Sequence, residues 1–202
     1  MLRSSERRLL TKLNTPFKIQ CYLDKLTYRA EDGLFCPLDA LRDRKANCFD
    51  GALFAALALM VHGYTPMLMD LRAVRDDDHV LAVYKISGRF GSIAKSNYAG
   101  LRFREAVYRS RHELAMSYLE HYYNPAGEKT LREFSVLLDL RRYAKHNWVG
   151  SREGLQLIER DLDRITHQRL LSPGQVKRLS PLDPRSYQAG MAGGNPRGFY
   201  HS

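Results

Sequence analysis

No apolar run in the sequence is long enough to cross a bilayer. The stretch from Ala52 to Val61 falls well short of the ~20 residues that a spanning helix needs. The opening residues, MLRSSERRLLTKL, lack the apolar core and the small-residue cleavage site of a secretory leader. A cytosolic protein without a membrane partner is therefore expected. Cysteine is scarce: Cys21, Cys36 and Cys48 lie at spacings of 15 and 12, which fit no zinc-ligand pattern. An odd number of separated thiols argues against a disulfide framework and suits a reducing compartment. There is no phosphate-binding glycine loop and no internal repeat. The only dense glycine cluster lies in the last residues.

Acidic residues are outnumbered, 22 against 32 basic ones, for a formal net charge of +10 over 202 residues. Such a chain attracts acidic partners. The basic residues are scattered, however, as in LRFREAVYRSR and LRRYAKH, and alternate with apolar ones at helical spacing. That pattern describes a solvated surface better than a nucleic-acid footprint. The apolar share, 44%, suffices for one ordinary core.

The clearest element is residues 48–62, CFDGALFAALALMVH. Asn47 is a good N-cap, Asp50 suits the positive end of the helix, and Gly63 is a stop. Apolar residues on nearly every face require this helix to be buried. Short helices are expected at 5–13 and within FKIQCYLDKLTY, with a loop and one helical turn over 30–43. Three strands follow at 66–74, 79–86 and 90–96, the last two a hairpin about Ser87-Gly88-Arg89. Ser110 and Glu113 form a capping box opening another helix, with Leu114, Tyr118 and Tyr122 on one face. FSVLLDL (134–140) reads as a strand. SREGLQLIERDLDRI (151–165) reads as an amphipathic helix. A buried helix followed by a small antiparallel sheet, with further helices, is an α+β pattern. Residues 172–202, rich in Pro, Gly and Ser, are expected to be an extended or disordered tail.

Cys48 stands at the first position of the buried helix. Unpaired N–H groups there favour a thiolate and could bind an oxyanion. Of the seven histidines, His79 is the best base, because it opens a strand after the polar turn Arg75–Asp78. A sheet packed on the helix can bring that imidazole to the sulfur, which would activate it for attack on an acyl carbon.

The text NCFDGALFAALALMVHGYTPMLMDL, continued by DDHVLAVYKISGRFGSIAKS, resembles the transglutaminase-like superfamily, a branch of the papain-like thiol enzymes. The resemblance covers about residues 15–123 and includes microbial members of that group. It implies a transglutaminase-like domain over 1–171, with Cys48 as nucleophile and His79 as acid and base. The reaction would be acyl transfer on amide bonds: hydrolysis, deamidation or transamidation of a protein or peptide, with no metal or organic cofactor. One position departs from the pattern. With Phe90 as the aromatic of the third motif, the acidic residue should stand at 94, where the chain has Ala. No Asp or Glu occurs between Asp78 and Glu105. Ser96 shares the face expected of the acid, Asn97 is its neighbour, and Asp70 on the preceding strand could reach across.

Plainer readings stand beside these. A lone helix cysteine is commonly a small core hydrophobe. Asp76, Asp77 and Asp78 suit a solvated turn. His112 and His121, nine apart, share no metal face. Gln20 precedes the cysteine, as an oxyanion-donating glutamine does in papain-like enzymes, but at the wrong spacing. Trp148, the single tryptophan, suits an anchor for the C-terminal helix. The missing acid and basic surface also fit a catalytically silent domain of the same architecture that binds a protein partner.

Overall fold

The computed structural model describes residues 2–200. Three helices come first: α1 (Ser4–Lys12), α2 (Pro16–Asp24) and, after the two-residue strand β1 (Thr27–Tyr28), α3 (Pro37–Asp43). A second short strand, β2 (Lys45–Ala46), pairs with β1 in parallel and leads into α4 (Cys48–Val61). Next come β3 (Met67–Ala73), β4 (His79–Ile86), β5 (Arg89–Ile93) and β6 (Arg104–Tyr108). They are followed by α5 (Arg111–Met116), β7 (Leu131–Ser135), β8 (Leu138–Asp139), α6 (Arg152–Arg164) and β9 (His167–Arg169). The chain closes with α7 (Pro173–Val176), α8 (Pro184–Met191) and a 3-10 turn over Pro196–Gly198.

The main sheet is antiparallel, ordered β6-β5-β4-β3-β7-β9, with β8 also paired to β3. The class is α+β, as the sequence pattern implies, but the sheet has seven strands rather than four, and FSVLLDL is divided between β7 and β8. The extra strands are short and charged. β6 reads REAVY and β9 reads HQR, so neither carries the run of β-branched residues that marks a strand. The β4–β5 hairpin turns on Ser87 and Gly88, both at positive φ (49° and 77°). That is the backbone a tight two-residue hairpin requires.

Strand alternation divides the core in two. Leu68, Val80, Ala82 and Tyr84 face the helical layer of α1, α2, α4 and α6. Met69, Leu71, Leu81 and Val83 face an aromatic layer holding Tyr118, Tyr122, Tyr123 and Phe134. Helix α4 lies on β4 and β3 and is covered by α1, α2 and α3. Its residues Asp50–Leu59 are all buried, as an all-round apolar helix demands. Trp148 is buried with Leu155, Ile158 and Leu162 of α6, which fixes that helix to the first core.

Residues 172–200 differ from expectation. They are not a featureless tail but carry α7 and α8 and return over the aromatic layer. Leu182, Tyr187, Met191 and Phe199 pack there, half-buried or at the surface. Proline at the first turn of each helix and N-caps at Ser172 and Asp183 explain the helices in so polar a segment. No helix among the described residues is long and apolar enough to cross a membrane.

Candidate functional site

Cys48 is delivered by a strongly specified helix start. Asn47 Oδ1 accepts from Phe49 N (2.9 Å) and Asp50 N (3.1 Å), and Asp50 Oδ1 accepts from Asn47 N (2.5 Å). This is the reciprocal capping arrangement, with an aspartate in the third position. Asp50 is buried and pairs with the buried Arg29 through Nε at 3.1 Å. Arg29 in turn lies 3.8 Å over the Phe35 ring and donates to Lys45 O. Burial pushes the Asp50 carboxyl up to about 6 despite the guanidinium.

Capping takes up two of the N–H groups that could hold an oxyanion. The N–H of Cys48 itself makes no hydrogen bond among the described residues.

The residues after β5 are led to the same place by three contacts. The side-chain amide of Gln20 brackets Ala94, donating to its carbonyl (3.0 Å) and accepting from its N–H (3.1 Å). Gln20 thus positions the backbone leading to the site. Lys95 is buried and donates to Leu23 O (3.0 Å) and Leu26 O, just beyond α2. It passes over Gly51 of α4, where a Cβ would come within 2.5 Å of Lys95 Cβ. Only a glycine lets the segment cross so near the helix. Ser96 and Asn97 follow directly.

Cys48, His79, Ser96 and Asn97 therefore line one cavity, together with Tyr28, Tyr98 and Tyr122. Its volume is about 40 Å³, room for roughly one water molecule. Cys48 is half-buried, and its sulfur lies 3.9 Å from the carbonyl of Asp78 and against the N–H of Val80. These groups flank His79 on the edge of β4 that β5 leaves after Ile93. Burial pushes the thiol up to about 12, with Asp50, Asp77 and Asp70 adding to the rise and the Val80 N–H opposing it.

His79 is 4% exposed and stands on the sheet face of Leu81 and Val83, against Tyr122. Its Nε2 lies 2.8 Å from the carbonyl of Leu101. A carbonyl only accepts, so Nε2 carries the proton and Nδ1 carries the lone pair. Burial lowers the imidazole to about 4, with the Leu101 carbonyl opposing this and Arg104 adding slightly to it. No hydrogen bond joins the Cys48 and His79 side chains. Both line the cavity, but α4 packs on the sheet face of Val80 and Ala82 while the imidazole stands on the opposite face, so the packing of sheet on helix does not by itself lay the ring over the sulfur.

The orienting role expected of Ser96, Asn97 or Asp70 falls instead to this backbone carbonyl. Ser96 Oγ accepts from Tyr98 N (3.0 Å) in a local turn, and that turn brings Leu101 back to His79. The Asn97 amide is engaged by Asn195. Asp70 Oδ2 meets His167 Nε2 at 2.9 Å, a pair whose side chains are 7% and 4% exposed. Strand alternation explains this, since Asp70 shares the face of Leu68 and not that of Leu71 beside His79.

Tyr98 is the residue that the sequence conceals. It is 8% exposed, and its hydroxyl has no hydrogen-bond partner, the only such buried side-chain atom among the described residues. Nothing in the sequence separates it from the other tyrosines except its place next to Asn97. In the acidic turn Asp77 and Asp78 are exposed, as a solvated turn requires, and Asp76 is half-buried. Asp76 accepts from Thr130 Oγ1 at 2.6 Å, and Asp78 Oδ1 accepts from Ala73 N at 2.8 Å. Among the described residues no group of three or more His, Cys, Asp or Glu could hold a metal ion. No family model matches the chain, and no curated protein matches it.

Proposed function

We propose that the chain is a cysteine-dependent acyl-transfer enzyme of transglutaminase-like, papain-like architecture, acting on amide bonds of peptides or proteins. One observation carries the reading: a helix-start thiol and a strand-start imidazole, from separate elements, line one small cavity. Cys48 is the nucleophile. Its proton passes to Nδ1 of His79 as the sulfur bonds to the acyl carbon. The C–N bond then breaks, and His79 returns the proton to the departing amine. Water or a second amine cleaves the thioester and regenerates the thiol. The Leu101 carbonyl holds the tautomer that leaves Nδ1 free. The Cys48 N–H and the Tyr98 hydroxyl are unpartnered donors available to an oxyanion.

Incubation with p-nitrophenyl acetate tests this. Cys48 should become acylated and turn over, and His79→Gln should abolish turnover in a folded protein. A Cys48 that never acylates, in the wild type or with the cavity opened, ends the reading.

A second reading, a silent peptide-binding domain, is favoured by the thiol and imidazole both being neutral near pH 7. In that case Cys48→Ala leaves peptide capture unchanged.

A further inference from the structure

The lining of the Cys48 cavity includes one residue from the far end of the chain, Gly198. Residues 193–199 form a strap lying against the lining residues Tyr28, Asn97 and Tyr98. Their attachment has the form of peptide recognition. Asn97 Nδ2 donates to Asn195 O (2.8 Å), while Asn97 Oδ1 accepts from Asn195 N (2.6 Å). The amide thus engages both backbone groups of one residue, as a neighbouring strand would. Those groups are common to every polypeptide. Asn195 Nδ2 also donates to Tyr28 O at 3.1 Å.

Side-chain selection is equally local. A Cβ on Gly198 would lie 2.5 Å from the Tyr28 ring, and one on Gly194 would lie 3.0 Å from Asn97 O. Phe199 sets its ring edge-on to Tyr98 at 5.1 Å. The strap is also lightly held. No residue from 172 to 200 is buried, whereas most residues of β3 and β4 are. Segments with few buried apolar contacts open locally, well before the sheet does. With the strap in place, about 40 Å³ remains beside Cys48, too little for any peptide.

We propose that residues 193–199 are a built-in ligand of the Cys48 cleft, closing it until a glycine-containing polypeptide able to take up the same turn replaces them. The proposal shares its site with the proposed enzyme function but does not need the chemistry. Asn97 is then a peptide-binding residue that holds the backbone, and glycine is required wherever the bound chain passes Tyr28.

The test uses the full chain and a synthetic peptide of residues 190–200. In the unaltered protein, the amides of Asn195 and Gly198 should exchange with solvent at least roughly tenfold faster than those of β3 and β4. In Gly198→Val, iodoacetamide labelling of Cys48, located by mass spectrometry, should rise by roughly tenfold. Adding the peptide should reverse that rise. A peptide with valine at the Gly198 position should not, and Asn97→Ala placed in the Gly198→Val background should abolish the reversal. Strap amides as protected as the sheet, or a peptide that fails to slow labelling of folded Gly198→Val, would overturn the proposal. If Gly198→Val does not fold, the exchange comparison decides alone. Peptide binding with a Cys48 inert to p-nitrophenyl acetate would end the enzyme reading and leave the strap assignment standing.

Discussion

His79 Nε2 and the carbonyl oxygen of Leu101 are 2.8 Å apart, so a backbone group fixes the imidazole where a carboxylate would be expected. A carbonyl sets the tautomer as firmly as an acid does, but it supplies no charge to stabilise an imidazolium. The ring should be the Nε2–H tautomer and neutral at about pH 5, well below the usual histidine range near 6.5. Two-dimensional ¹⁵N spectra of the imidazole would check both. Because the folded value is about 4, the unfolded chain takes up the proton first. The contribution of His79 to stability is level above ~6.5 and falls as pH drops toward 4. Denaturant titrations should show this slope reduced in His79→Gln. An unchanged slope would mean that the ring is not buried as described.

Gly51 allows Lys95 to cross α4 at 2.5 Å from where a Cβ would stand. In an open helix, Gly→Ala would stabilise by about 1 kcal/mol. Here Gly51→Ala should instead destabilise by roughly 1–3 kcal/mol, because the buried segment cannot move aside. Urea unfolding gives the sign directly, and a gain in stability would refute the close crossing.

Tyr98 carries a buried hydroxyl without a partner. Removing it relieves an unsatisfied group, so Tyr98→Phe should leave stability unchanged or raise it by up to ~1 kcal/mol. Turnover of p-nitrophenyl acetate should nevertheless fall, since the hydroxyl is an unpartnered donor at the cavity. A clear loss of thermal stability would show that the hydroxyl already has a structural bond.

Asp70 and His167 tie β3 to the chain at β9, and Ile165 O holds the second ring nitrogen of His167 at 2.8 Å. Burial pushes the Asp70 carboxyl up, and the bond from His167 opposes the rise. Asp70→Ala leaves a buried imidazole without its partner and should cost about 3 kcal/mol in chemical denaturation. A loss below ~0.5 kcal/mol would place the pair outside the folded core.

Much of the scaffold was legible in the residues. The run from Cys48 to Val61 specifies a buried helix by its caps and its unbroken apolarity. Ser87-Gly88 specifies a hairpin, and Leu155, Ile158 and Leu162 mark the buried face of α6. These signals are local: each depends on residues within a few positions of one another. β6 and β9 were not legible, because charged residues occupy strands that pair at the sheet margins.

Cys48 and His79 could be named from the sequence because a helix start and a strand start are both local features. Which group would hold the imidazole could not be. Hydrogen bonding by a main-chain carbonyl is independent of residue type, so Leu101 carries no mark of it. Nor does the composition of GGNPRG reveal that this segment reaches back 98 positions to Asn97. By itself the sequence determined the α+β framework and pointed to the cysteine and the histidine that line one cavity, since propensity, capping and periodicity are properties of neighbours. Only tertiary structure decided what surrounds those side chains. Burial, the accepting carbonyl and the covering strap all arise from contacts between distant segments, and those contacts set the charge state and accessibility of the sulfur.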